Sequence, residues 1–320
     1  MNKGFWDKLP RPFFVLAPMA DVTDAVFRRV VAERGKPDVV FTEFVSADGL
    51  MHPVGREHLL VNLRYSEVER PIVAQIWSGK PGNIEGAARL VRELGFDGVD
   101  INMGCPNKGV EKQGGGASLI RHYDLAREII ESAMRGANPL PVSVKTRIGY
   151  NDLDLKWIKM LMYSGIAALT LHLRTRKEMS KVIAHWGLIP ELRRNLSQFA
   201  PLLIGNGDVT DLKDARKKVV SYSADGGMIG RAIFGNPWLF AGIGRPASPD
   251  EWAKRGGKVF ETMIEHSKLF EEAYAGIKNF AVMRKFFGAY VAGHPRANEL
   301  KLALMRCGSA MEVEKVFTGY

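Results

Sequence analysis

The chain has 320 residues, 46% of them hydrophobic and 25% charged, with a formal net charge of +10. This composition excludes a disordered or fibrous chain and has the length for one large domain plus a small one. Two cysteines with no C-x-x-C pair exclude a disulfide framework and speak against a structural zinc site, while the positive balance favours a polyanionic partner.

In chain order, the apolar stretch at 1–20 is interrupted by Pro10, Pro12 and Pro18, which argues against a secretory leader. No later apolar run is long enough to span a bilayer. A soluble cytoplasmic protein, monomeric and without metal or membrane attachment, is therefore expected. Short β-branched runs then recur at 13–20, 39–46, 71–78, 98–105, 141–149, 168–175, 201–209 and 226–233, each ending in polar residues or glycine. Between them, stretches such as 83–94 and 124–137 carry apolar residues at three- and four-residue spacing, the pattern of amphipathic helices. Eight strand-then-helix units over about 240 residues predict an α/β fold of the (β/α)8 TIM-barrel kind. A doubly wound sheet would need a first-turn G-x-G-x-x-G, where this chain has Ala-Pro-Met-Ala. At 242–249 the text changes to GIGRPASP, and beyond it only helical patterning appears. A catalytic barrel at 1–243 and a small all-helical domain at 244–320 are predicted. The charge excess is shared between them, so a polyanion would touch both.

Strand alternation says which side chains enter the barrel. In 168–175, Thr170, His172 and Arg174 oppose Leu169, Leu171 and Leu173; Lys145 opposes Val142 and Val144; Gln75 and Asn102 likewise oppose aliphatic neighbours. Reactive groups of such barrels sit at the C-terminal strand ends, so four polar side chains, Gln75, Asn102, Lys145 and His172, converge on one mouth. Left unpaired there, each would cost about 1–3 kcal/mol. They can pair with one another or with water, but as a set they suit a polar planar ligand. The last two runs end in GNGD (205–208) and GMIGRAI (227–233). Loops in those places often hold a phosphate on backbone N–H groups, and Arg231 could add a charge-assisted contact. A planar ring joined to a phosphate describes FMN. Lys145 would then face the ring's N1/O2 edge, Gln75 and Asn102 would hydrogen-bond its pyrimidine edge, and His172 would reach ring or phosphate.

The runs APMADVTDAVFR, TEFVSADGL, QIWSG, INMGCP, SVKTRIG, LHLRTR, IGNGDV and MIGRAIFGNPWLF resemble, in order, the tRNA-dihydrouridine synthase family. The tail segments KNFAVMRKFFGAYVAG and ANELKLALM resemble that family's tRNA-binding helical domain. The resemblance implies an FMN-dependent oxidoreductase that reduces the C5=C6 bond of uridine in tRNA, with NADPH or NADH as transient reductant. It implies Cys105, in N-x-G-C-P, as the proton donor to C5, a task for which a thiol of ordinary pKa, about 8.5, is suited. It also implies Pro18, Met19, Ala20, Gln75, Asn102, Lys145, His172, Asn206, Gly207, Asp208, Gly230 and Arg231 as the flavin set. Lys108, Lys112, Arg174, Arg176, Arg284 and Lys285 are its RNA contacts. Phe286, Phe287 and Tyr290, at helical spacing, are expected to pack as core rather than meet RNA. Two other readings are compatible with the residues alone: an FMN barrel that reduces a free pyrimidine or enone, and a tRNA-binding relative without catalysis.

Overall fold

The computed structural model describes residues 2–194 and 200–318. The chain folds as two compact units, Met1–Ala25 with Pro37–Gly230, and Val26–Lys36 with Arg231–Tyr320. The expected division after residue 243 thus falls inside the second unit. Close backbone packing within that unit is the reason: a Cβ at Gly35 would meet Ala241 N at 2.7 Å, and one at Gly235 would meet Ala289 O at 2.1 Å.

The first unit is a parallel barrel. Its strands are β1 (Phe13–Leu16), β2 (Val40–Phe41), β3 (Val45–Ser46), β4 (Ile72–Trp77), β5 (Gly98–Met103), β6 (Val142–Arg147), β7 (Ala168–His172), β8 (Leu202–Asn206) and β9 (Gly226–Ile229). They pair in the order β1-β9-β8-β7-β6-β5-β4-β2, with β3 also on β4. A parallel bridge from Val15 to Val39 closes the ring. β2 and β3 are one stave with a break, since both pair with β4. At the break the Gln75 N–H donates to the Thr42 hydroxyl, 3.1 Å, in place of a backbone carbonyl. The predicted TIM barrel is therefore present, with one predicted strand split in two. Most predicted runs also extend past the observed strand ends, and the surplus residues, such as 104–105 and 207–209, are loops at the C-terminal mouth.

Alternation sorts the side chains into two apolar layers. Val40, Ala74, Ile76, Val99, Ile101, Val144, Leu169, Leu171 and Leu203 face outward and pack under the helices. Phe13, Val15, Val39, Phe41, Val73, Ala168, Leu202, Ile204 and Met228 fill the barrel interior. Trp6, on the short helix Gly4–Lys8, is 1% exposed and joins that inner cluster, with its ring 5.8 Å from Phe13 and 6.3 Å from Phe41.

Outside, the helices Pro81–Glu93 and Tyr123–Ala137 pack at backbone distance, because a Cβ on Gly136 would lie 2.1 Å from Glu85 O. Gly136→Val is expected to lower stability by about 3 kcal/mol through overpacking, although replacing a helix-interior glycine normally helps. The shift of the urea midpoint measures it.

In the second unit the helices Pro249–Tyr274, Arg284–Tyr290, Ala297–Leu304 and Ala310–Phe317 share a core with the residues from Val26 to Lys36. Phe286, Phe287 and Tyr290 are buried in it. Phe286 stacks on Phe27 with 5.0 Å between centroids, as expected of aromatics at helical spacing. His266 is fully buried and donates to or accepts from the Tyr290 hydroxyl at 3.2 Å. Burial pushes its pKa down to about 3, so it is a neutral core histidine. Among the described residues no helix is long and apolar enough to cross a membrane.

Candidate active site

Residues paired across a parallel ladder project to the same side, so the strand register stacks the interior polar groups in rungs. Gln75, Asp100 and Ser143 form one rung, Asn102, Lys145 and Thr170 the next, and Arg147, His172 and Asn206 the uppermost. Gln75, Asn102, Lys145 and His172 are thus brought together on the interior face near the C-terminal ends of their strands. Sequence reasoning passes over two members of this set, Asp100 and Arg147. Their parity with Asn102 and Lys145 is the available signal.

Asp100 is fully buried and accepts from Gln75 Nε2 at 2.6 Å and from the Ser143 hydroxyl at 2.5 Å. Burial raises its pKa to about 6, against which the bonds from Ser143 and Gln75 and the charge of Lys145 act. Gln75 Oε1 in turn accepts from Asn102 Nδ2 at 3.0 Å. Asn102 Oδ1 accepts from the backbone N–H of Gly104, 3.1 Å, and of Cys105, 2.9 Å. That turn sets Cys105 immediately beyond β5. The thiol is half-buried, and burial pushes its pKa above the ordinary value although nearby Lys145 and Arg147 pull the other way. Cys105 therefore stays protonated at neutral pH.

Lys145 is also half-buried. Burial, and then the charge of Arg147, depress its pKa to about 8, with Asp100 working in the opposite sense. Its ammonium makes no hydrogen bond or ion pair among the described residues, so the mouth holds a cation in search of an acceptor. Arg147 is 7% exposed, and burial lowers its pKa to about 10. It donates to Gly104 O at 3.0 Å, Thr175 O at 3.1 Å and Met179 O at 3.4 Å, tying the loop that carries Cys105 to the loop after β7.

The loop after β8 has two consecutive positive φ angles, 126° at Gly207 and 51° at Asp208, which turn the backbone sharply. Asn206 Nδ2 donates to Met228 O at 2.9 Å, across to β9. At Gly230 a Cβ would find Ala17 Cβ at 3.6 Å and Met19 Sδ at 3.8 Å, so the loops after β1 and β9 adjoin. In the former, Pro18 and Met19 are half-buried and Ala20 is exposed. Arg231 is exposed and opens the second unit.

Two of the three arginines expected to meet RNA, Arg174 and Arg176, are each held by a carboxylate. Arg174 is 3% exposed; its NH2 donates to both carboxylate oxygens of Asp208 at 2.5 Å and its Nε to Val182 O at 2.6 Å. Asp208 also accepts from Ala184 N at 2.8 Å, so its carboxylate braces the loop after β7. Arg176 grips Glu111 through Nε at 3.1 Å and NH2 at 2.6 Å, latching the helix Lys108–Lys112 to the loop after β7. Lys108 and Lys112, on that helix, are exposed. Arg284 is half-buried, with an Nε that has no partner among the described residues, and Lys285 is exposed. No group of three or more His, Cys, Asp or Glu side chains among the described residues could hold a metal.

A family model described as "Dihydrouridine synthase (Dus)" matches residues 15–318. The chain is 44% identical to "Probable tRNA-dihydrouridine synthase 2" of Bacillus subtilis (strain 168), over 100% of this chain and 97% of that protein. It is 44% identical to "Probable tRNA-dihydrouridine synthase" of Staphylococcus aureus (strain COL), over 98% of this chain and 94% of that protein. Among solved structures, the old yellow enzyme homologue from Zymomonas mobilis (NCR) superposes with a TM-score of 0.50 at 16% identity, covering 76% of this chain and 92% of that one. Morphinone reductase in complex with tetrahydroNAD gives 0.51 at 13% identity, covering 79% and 92%. At these identities the two structures bear on the fold alone.

Proposed function

The chain belongs to the dihydrouridine synthase family, and on that premise we propose that it reduces uridine in tRNA to 5,6-dihydrouridine in the cytoplasm, with FMN as cofactor and NADPH or NADH as reductant. The observation that carries the reading is the Asn102-held turn that puts a protonated Cys105 beside Lys145 at the mouth of the barrel.

The donor set suits a flavin. A planar ring with an acceptor-rich edge needs N–H donors and a nearby cation, and the mouth offers the remaining N–H of Gln75 and of Asn102 together with the Lys145 ammonium. Gly230 brings the backbone close to Ala17 and Met19, and the positive φ angles at Gly207 and Asp208 turn the chain after β8 in a way that suits backbone N–H contact with a phosphate. Gln75, Asn102, Lys145 and His172 would hold the ring, Pro18, Met19 and Ala20 would border it, and Asn206, Gly207, Gly230 and the Asp208 backbone would take the phosphate. A bound FMN supplies the hydride to C6 of uracil and is itself restored by the nicotinamide.

Cys105 supplies the other hydrogen. As C6 receives two electrons with the hydride, the C5=C6 π pair takes the thiol proton at C5, leaving a thiolate that regains its proton from solvent. Lys145 and Arg147 face that thiolate with positive charge, which eases the transfer. The uracil of folded tRNA must leave its stack to come within reach.

In the first unit, RNA contact then falls to cations without carboxylate partners. Lys108, Lys112, Arg121, Lys177 and Lys181 are exposed on the loops after β5 and β7, and none has an ion pair among the described residues. Arg121 stacks 4.2 Å over the Tyr150 ring, a platform that suits a flanking base. In the second unit Lys285 is one of several exposed cations, with Lys254 and Lys258 among them. Lys177→Glu with Lys181→Glu is expected to flatten the slope of log affinity for tRNA against log salt by about 1.4–1.8, the loss of two phosphate contacts. Arg176→Gln should leave that slope unchanged, because its guanidinium is held by Glu111.

The function is tested by single turnover. Protein reduced anaerobically is mixed with unmodified tRNA transcript and with cellular tRNA, and flavin reoxidation is followed beside dihydrouridine by mass spectrometry. Matched amounts support the reading. Reduced flavin that ignores both tRNAs but is reoxidised by a free pyrimidine or an enone overturns it.

A further inference from the structure

We propose that Asp100 is a positioning residue: its carboxylate dictates which way the Gln75 and Asn102 amides point, and through them the hydrogen-bonding face of the barrel mouth and the seat of Cys105. The inference rests on the proposed function only for the ligand of that face. The hydrogen bonds themselves are within the protein.

A terminal amide can be turned over with little intrinsic preference, exchanging donor and acceptor. Nothing in Gln75 or Asn102 alone chooses between the two states. An ionised carboxylate removes the choice, because it only accepts. Asp100 lies between Gln75 and Ser143 by strand register and takes Gln75 Nε2 at 2.6 Å and the Ser143 hydroxyl at 2.5 Å. Gln75 must then turn Oε1 to Asn102, whose Nδ2 donates to it at 3.0 Å. Asn102 must turn Oδ1 to the backbone, where it takes the Gly104 and Cys105 N–H groups at 3.1 and 2.9 Å. Each amide keeps one further N–H, so the pair offers donors to a ligand. Reversing the polarity at Asp100 would turn Gln75 against Asn102, whose Oδ1 the donor-only Gly104 and Cys105 N–H groups also claim, and so strain the seat of Cys105.

Two variants of Asp100 separate orientation from charge. Asp100→Asn can still accept from Gln75 while giving its own N–H to the Ser143 oxygen. It is expected to bind FMN within about threefold of the wild type and to leave Cys105 alkylation by iodoacetamide, measured on apoprotein, unchanged. Asp100→Ala leaves Gln75 Nε2 unpaired, and FMN affinity read by fluorescence quenching should fall at least about tenfold, with an altered alkylation rate. Wild-type affinity and alkylation in Asp100→Ala would overturn the proposal.

A polarity swap decides the matter even where the alanine variant does not fold. Asn102→Asp sets two acceptors against each other at Gln75 and should slow or speed Cys105 alkylation and lower the melting temperature. Adding Asp100→Asn lets Gln75 turn over, donating to Asp at 102 and accepting from Asn at 100. Both readouts should return towards the wild type. Additive damage in the double variant would refute the relay. A wild-type protein that binds no FMN would sink the functional reading, whereas the relay would still be judged from alkylation.

Discussion

Cys105→Ala is expected to keep its fold and its affinity for FMN and tRNA while dihydrouridine formation slows about 10²–10⁴-fold, the range of a positioned general acid. The side chain is small and half-buried, so its removal leaves little cavity, and the turn that seats it is made by its backbone N–H with Asn102. The measurement is single-turnover dihydrouridine formation by mass spectrometry after anaerobic reduction. A rate within tenfold of the wild type would remove Cys105 from the reaction. The pH dependence carries a sign. Burial raises the thiol pKa, so the protonated, proton-giving form persists above the usual thiol range. Loss of rate at mildly alkaline pH therefore has to come from another group.

Lys145→Met is expected to lower the same rate about 10²–10³-fold, as removal of one preorganised charge does, and to weaken FMN binding. Lys145 has its pKa depressed to about 8, so its charge is present below that pH and disappears as pH rises through it. The wild-type rate should fall across pH 8, and Lys145→Arg should move that limb upward. An unchanged limb in the arginine variant would assign it elsewhere. Stability moves in the other direction. The unfolded lysine holds its proton more tightly, so between about 8 and the ordinary lysine value of 10.5 this group makes stability rise with pH. Lys145→Met should lose that slope and melt no lower than the wild type at neutral pH, which separates loss of charge from loss of fold.

The legible part of the site is the part that alternation controls. Gln75, Asn102, Lys145 and His172 stand on the interior face because each lies an even number of residues from its interior neighbours, and the strand register puts Asn102 and Lys145 on one rung with Gln75 and His172 on the rungs to either side. Asp100 is equally visible by parity but reads as an ordinary strand acid until Gln75 and Ser143 are seen on either side of it. The arginines show the opposite failure. Arg174 reads as inward-facing by alternation, but β7 ends at His172, and nothing in its neighbours reveals Asp208, 34 residues on. Arg176 finds Glu111, 65 residues back. Sequence alone therefore offers a cationic motif to a polyanion without revealing the two carboxylates, Asp208 in a loop and Glu111 on the helix Lys108–Lys112, that hold it. The division of the chain is hidden for a related reason, because Gly35 and Gly235 give no local sign of the backbone they lie against.

By itself the sequence determined the barrel, the helical tail and the face on which each strand residue stands, since these follow from side-chain periodicity, which is set by local backbone geometry. Tertiary structure alone decided which donor meets which acceptor. Ion pairs and amide orientations are chosen by groups that the fold brings together from distant parts of the chain, and a buried polar group takes whichever partner lies within about 3 Å.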